Sequence, residues 1–188
     1  MRKPFYMPDL TPLVTAVDLA RIAARDDYRY ELVAGRVVRM SPVGWQHGAI
    51  VGRLLAMLVT YLRGRNAGEA VTEVGFTLRT SPDTVRGPDI AFVRQERIPR
   101  ETLRTFWSGA PDVAMEVLSP DDSRKQMTAK VADYLSAGVS AVVVVDPEAS
   151  IVTLHRPGAL RHISRRGDEL DLSDVIPGFR CAVDDIFD

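Results

Sequence analysis

"PDVAMEVLSPDD", residues 111–122, alternates as a β-strand does, and a carboxylate interrupts its apolar surface. On an extended chain Val113, Met115 and Val117 share one side, and Ala114, Glu116 and Leu118 share the other. Both sides are apolar except at Glu116. A carboxylate buried without a partner costs several kcal/mol or gives up its charge. Either something positive compensates Glu116, or the strand lies at an exposed edge.

Downstream of this strand, "SPDD" reads as the cap of a helix running through "SRKQMTAKVADYLSAGV". Met127, Val131, Tyr134 and Leu135 form its apolar stripe, and Gly138 ends it. "SAVVVVDP" is a continuous β-branched run, the mark of an interior strand, and "ASIVTLHRPG" pairs with it through a short turn. The tail offers a short strand at 179–183 and a closing turn.

Upstream, "GPDIAFV" is a strand, and "AVTEVGFTLRT" alternates at Val74, Phe76 and Leu78 before an "SPD" turn. Residues 48–63 fit an amphipathic helix, with His47 placed before it in the punctuating stretch "SPVGWQHG". "YELVAGRVVRM" reads as a hairpin around Ala34 and Gly35. A shorter helix precedes it, with Thr15 as N-cap and Asp18 in its first turn. The central order is helix, three antiparallel strands, helix, strand, which predicts a mixed sheet with helices on its faces.

At 188 residues the chain suits one α/β domain with a real core. A net charge of -1 gives no global pull toward a polyanion, so nucleic acid would need a local basic patch. Arg94, Arg97, Arg100 and Arg104 make one such cluster, and Arg161, Arg165 and Arg166 another; solvated charge is the commoner explanation of both. The lone cysteine excludes an intramolecular disulfide and a multi-cysteine zinc site. Met1, Arg2 and Lys3 open the chain basic, but no apolar signal core follows and no run is long enough to span a bilayer. The default setting is cytoplasmic, with no membrane partner.

Asp89, after Pro88, opens the strand that precedes the one bearing Glu116. If the two strands are neighbours and both acids face one side, they can share a divalent cation. Mg²⁺ is a hard ion that takes one or two carboxylates, keeps waters and accepts a phosphate oxygen.

The ordered series "YELVAGRVVRMSP", "PDIAFV", "EVLSP", Lys130 and Tyr134 before "AGV", and "VDP" resembles the PD-(D/E)XK nuclease superfamily. Within it, the chain resembles the restriction-endonuclease family long catalogued as domain of unknown function 820, from about Tyr30 to Phe179. The resemblance implies a restriction-endonuclease-like sheet with an added N-terminal helix and β-hairpin. Residues 1–47 would be that addition, 48–156 the nuclease-like core and 157–188 a C-terminal extension.

It also implies Mg²⁺-dependent hydrolysis of DNA phosphodiesters, with Mn²⁺ as a substitute ion, by a homodimer. Asp89 and Glu116 would be the metal ligands. The usual lysine two positions after the second acid is replaced by Leu118, which points to Lys130 on the following helix. Glu31 matches an acid that would touch the metal or position Lys130, and His47 matches a recurrent histidine without an assigned role. Gln126 and "GVSAVVVVDP" depart from the family pattern without removing a proposed ligand.

Each residue also has a plain structural explanation. Asp89 is a turn residue, Glu116 an edge or arginine-paired acid, Lys130 a solvated charge, Glu31 a surface acid and His47 a packing residue. Phe106 and Trp107 either stack on a base or anchor their loop. Ser119 as a nucleophile is rejected, because no Gly-x-Ser-x-Gly elbow surrounds it and no partner histidine is placed by the sequence. The expected function is a metal-dependent endonuclease; the alternative is a catalytically inactive nuclease-like fold that binds nucleic acid or protein.

Overall fold

The computed structural model describes residues 12–25, 27–99, 105–120 and 122–188. Met1, Arg2, Lys3, Arg100 and Arg104 lie outside them.

Helix α1 (Ala16–Ala23) starts at a capping box in which Thr15 and Asp18 satisfy each other's backbone N–H. Strands β1 (Tyr30–Val33) and β2 (Arg36–Arg39) form the hairpin, and both turn residues, Ala34 and Gly35, have positive φ as a two-residue type I′ turn requires. Helix α2 is Trp45–Leu62. It begins three residues earlier than its apolar period suggests, because extended Gly44 caps it and accepts the Gly48 N–H. His47 therefore lies inside the first turn rather than ahead of the helix.

Strands β3 (Gly68–Val71) and β4 (Phe76–Arg79) correct the expectation of one alternating strand through "AVTEVGFTLRT". Glu73, at φ 60, breaks the run, and the two halves join different sheets. A three-residue strand that sequence periodicity did not show, β5 (Thr84–Arg86), follows. Then come β6 (Ile90–Arg94), the two-residue β7 (Trp107–Ser108), β8 (Val113–Val117), helix α3 (Arg124–Ser136) and β9 (Ala141–Asp146). The cap of α3 is Ser123, paired with Gln126, while Asp122 accepts the Ser119 N–H in the turn before it. The chain ends through β10 (Ile151–His155), β11 (His162–Arg165), β12 (Glu169–Asp171), β13 (Arg180–Ala182) and helix α4 (Val183–Phe187). The expected tail strand is thus β13, and Val183 already belongs to α4.

The central sheet has the order β11-β10-β9-β8-β6-β3. Its β3, β6 and β8 are antiparallel neighbours, and the crossover through α3 makes β9 parallel to β8. A second sheet has the order β2-β1-β5-β4-β7, and β12 pairs with β13. The architecture is the expected mixed α/β one.

Burial separates the two faces of β8. Val113, Met115 and Val117 pack with Ile50, Leu54 and Leu58 of α2, in a core that also holds Leu170, Phe179 and Ile186. Ala114 packs toward Val131 and Tyr134 of α3. Glu116 shares the parity of Ala114 and faces α3. Among the described residues no helix is long and apolar enough to cross a membrane.

Candidate active site

Glu116 is 3% exposed, which makes it a compensated interior charge rather than an edge residue. Two side chains from successive turns of α3 hold it. Lys130 Nζ donates to Oε2 at 2.8 Å, and the Tyr134 hydroxyl donates to Oε1 at 2.7 Å. Spacing of four residues along a helix puts both donors on one face, above the strand.

Lys130 also lies 3.1 Å from Glu31 Oε1. Glu31, on β1, is itself held by Arg86 Nη1 at 2.7 Å and by the Gly87 N–H at 3.2 Å. The other prongs of Arg86, Nε and Nη2, reach Asp133 Oδ2 at 3.0 and 2.6 Å. A buried arginine thus bridges β1 to α3 from β5, with its fork directed at two acids.

Asp89 lies one step beyond the Ile90–Met115 pair, which sets it opposite Glu116 by register. Its Oδ2 accepts the Val117 N–H at 2.8 Å, and its Oδ1 is 3.3 Å from His47 Nε2. The other ring nitrogen of His47 is 3.2 Å from Ser119 Oγ. The histidine that sequence did not place near Ser119 is therefore beside it, brought there by the first turn of α2.

The electrostatics differ sharply among the three central acids. Burial pushes the Glu116 carboxyl up to about 7, with Asp89 and Glu31 adding to the rise and Lys130 opposing it. Burial works the same way on Glu31, but Lys130 and Arg86 outweigh it and hold that carboxyl below the usual value. For Asp89, burial is outweighed by the hydrogen bonds from His47 and Val117, and the carboxyl is again lowered. Lys130 is raised above the ordinary lysine range, since Glu116 and Glu31 overcome its desolvation. Burial, then the Glu116 charge, keeps the Tyr134 phenol protonated well above its normal value.

Of the four candidates, Glu116, Lys130 and Glu31 thus meet in direct contact, and Asp89 lies opposite Glu116 by register, held by Val117 and His47. Arg86, Asp133 and Tyr134 are members of the cluster that sequence reasoning missed. Tyr134 was legible as a member of the apolar stripe and of the family motif but without a role, and its place four residues after Lys130 was the available signal. Two surface clefts lie elsewhere; one, lined by Leu78, Arg79, Thr84 and Ala132, touches the cluster only at Asp133.

Several other candidates have partners within the fold. Arg94 and Arg97 flank buried Asp112, at 3.8 and 2.9 Å, and Arg166 pairs with Asp184 and Asp188. Trp107 packs on Phe76 with ring centroids 6.1 Å apart, and Phe106 packs into the α1–β1–β5 cluster. Both anchor their loop. The most exposed tryptophan is Trp45, at 93%.

Hard oxygen donors at Asp89 and Glu116 suit Mg²⁺, and each carboxylate oxygen keeps a lone pair beyond the bond it accepts. Among the described residues no group of three or more His, Cys, Asp or Glu side chains is arranged to hold a metal ion. An ion at this position would have to complete its shell with water and substrate, as Mg²⁺ commonly does.

Comparison with known proteins identifies the family and the fold. The profile of the Uma2 family, described as "Putative restriction endonuclease", matches residues 16–184. A solved structure described as "a putative nuclease belonging to DUF820", from Anabaena variabilis, superposes with a TM-score of 0.82 at 21% identity. That alignment covers 93% of this chain and 97% of the other. No curated protein matches the chain. With the family profile spanning nearly its whole length and the fold shared, the chain belongs to the Uma2 family.

Proposed function

We propose that this protein is a Mg²⁺-dependent endonuclease that hydrolyses DNA phosphodiester bonds, with Mn²⁺ as an alternative ion. The observation that carries the proposal is an imbalance of buried charge. Glu31, Asp89, Glu116 and Asp133 converge on only two permanent cations, Arg86 and Lys130, leaving two formal negative charges when all four acids are ionised. A divalent cation between Asp89 and Glu116 would balance them, at a carboxyl that burial first, and then the neighbouring Asp89 and Glu31, raises to about 7.

Asp89 and Glu116 would hold the ion, which supplies Lewis acidity at a phosphoryl oxygen and a more acidic bound water. Lys130 has three N–H donors, of which Glu116 and Glu31 use two. The third is left to orient the attacking water or to stabilise charge on the phosphoryl group. Tyr134 fixes the opposite oxygen of Glu116, while Arg86 and Asp133 anchor Glu31 and so hold Lys130 in place. Cutting both strands of a duplex would use two copies of the chain, so a homodimer belongs to the proposal.

The absence of a three-ligand set among the described residues favours one alternative, a catalytically inactive binding module. Calorimetric titration with Mn²⁺, run on wild type, D89N and E116Q, separates the two together with a plasmid-nicking assay. One bound ion that both substitutions weaken at least tenfold, with Mg²⁺-dependent nicking abolished by chelator, is the expected result. No ion and no nicking in wild type would leave the binding module.

A further inference from the structure

The cleavage chemistry leaves two side chains beside Asp89 unused, His47 and Ser119. Ser119 Oγ, His47 Nδ1, His47 Nε2 and Asp89 Oδ1 follow one another with gaps of 3.2 Å and 3.3 Å across the two hydrogen-bond positions. Ser119 is half-buried in the turn after β8, His47 is 7% exposed and Asp89 is 9% exposed. Ionised Asp89 can only accept, so Nε2 bears a hydrogen; whenever Nδ1 carries none it is an acceptor for the Ser119 hydroxyl.

These residue types are those of a nucleophilic triad, but the arrangement differs from one. In that mechanism the serine faces Nε2 and the acid faces Nδ1, and backbone N–H groups stand ready for an oxyanion. In this site the nitrogens are exchanged, and the Ser119 N–H is already donated to Asp122 Oδ2 at 2.8 Å. The row ends instead on an acid proposed to hold the cation.

Asp89 needs such support. It precedes the first residue of β6, so the strand ladder does not fix its side chain. Two donors from different elements do, the Val117 N–H from β8 on Oδ2 and the His47 ring from α2 on Oδ1. We infer that Ser119 and His47 are positioning residues for Asp89: Ser119 holds the orientation of the His47 ring, whose tautomer Asp89 dictates, and the ring sets the carboxylate for a divalent cation. This inference rests on the metal-dependent site of the proposed nuclease. Partners of this kind typically change metal affinity about 10–100-fold when removed.

The test combines two readouts on wild type, S119A, S119T and H47Q. Long-range ¹H–¹⁵N spectra of ¹⁵N-histidine-labelled protein report the His47 tautomer without metal, and calorimetry reports Mn²⁺ affinity. Wild type is expected to show the Nε2–H tautomer. S119A should keep that tautomer, since Asp89 still accepts from Nε2, but weaken Mn²⁺ binding about tenfold; S119T should recover the affinity, and H47Q should weaken binding about 10–100-fold. Unchanged affinity in S119A and H47Q, with wild type binding the ion, would overturn this inference alone. Loss of the Nε2 proton on adding Mg²⁺ would overturn it too, by making His47 a ligand. No Mn²⁺ binding in wild type would overturn both the metal proposal and the positioning role of Ser119 and His47, whatever the tautomer.

Discussion

Lys130 stands fourteen residues beyond Glu116 in the chain, yet its ammonium donates to the Glu116 carboxylate at 2.8 Å. Leu118, two residues after Glu116, packs on the same α3-facing side of the sheet. The amine that meets Glu116 therefore comes from the helix and not from the strand that carries the acid. Lys130→Met strands Glu116 and Glu31 in the interior, and a loss of about 3–5 kcal/mol in urea unfolding is expected. Nicking should fall at least about 100-fold. Adding Leu118→Lys to Lys130→Met returns an amine to the same face and should recover part of both losses. A double variant no better than the single one would show that the helix position itself matters.

The Glu116 carboxyl gives a pH signature in metal-free protein. Its folded value, about 7, lies above the ordinary 4.5, so the folded state keeps the proton longer than the unfolded chain. The corresponding stability is fully present below about pH 4.5 and is lost as pH rises through about 7. Asp89 and Glu31, whose values are lowered, act the opposite way, losing their contribution as pH falls through the acid range. In the presence of chelator, Tm should therefore decline between about pH 5 and 8 in wild type and stay level in E116Q. An equal decline in both proteins would assign the titration to another group.

Arg86 tests how the cluster is anchored. Its fork gives one prong to Glu31 and two to Asp133, which a lysine cannot reproduce. Arg86→Leu is expected to destabilise by about 3–5 kcal/mol and Arg86→Lys by roughly half as much, measured by urea denaturation. Wild-type stability in Arg86→Lys would mean that charge suffices and fork geometry does not.

Two glycines should respond in opposite directions to alanine. Gly68, at φ +145, would put a Cβ 2.2 Å from the Val93 carbonyl oxygen and 2.8 Å from the Phe92 ring. Gly68→Ala should cost at least about 2 kcal/mol. Gly52, exposed within α2, has open space where its Cβ would sit. Gly52→Ala should stabilise by about 1 kcal/mol. Thermal unfolding of the two variants gives both signs in one experiment.

The sheet centre was legible because its residues announce themselves locally. The run of valines in β9, the capped α3 ending before Gly138, and a single acid on an apolar strand each need only a short window. Lys130 and Glu31 became legible through family resemblance. The remainder depends on long-range partners. Arg86 sits in a three-residue strand that looks like the exit of a turn, and its acids are 55 and 47 residues away. Tyr134 counts as apolar in any periodicity, although its hydroxyl holds Glu116. Ser119 and His47 are 72 residues apart, and only the first turn of α2 joins them. The β3–β4 division stayed hidden because alternation continues across a backbone reversal at Glu73.

Glu31 belongs to the hairpin sheet, and His47 to the opening turn of α2, ahead of the central strands. A shortened protein starting at residue 48 would keep Asp89, Glu116 and Lys130 but lose the acid that steadies the lysine and the ring that steadies the aspartate. Such a fragment would carry the recognisable motif without the means to aim it. Any exchange of front segments between relatives must therefore carry Glu31 and His47 with it if the proposed reactive centre is to stay intact.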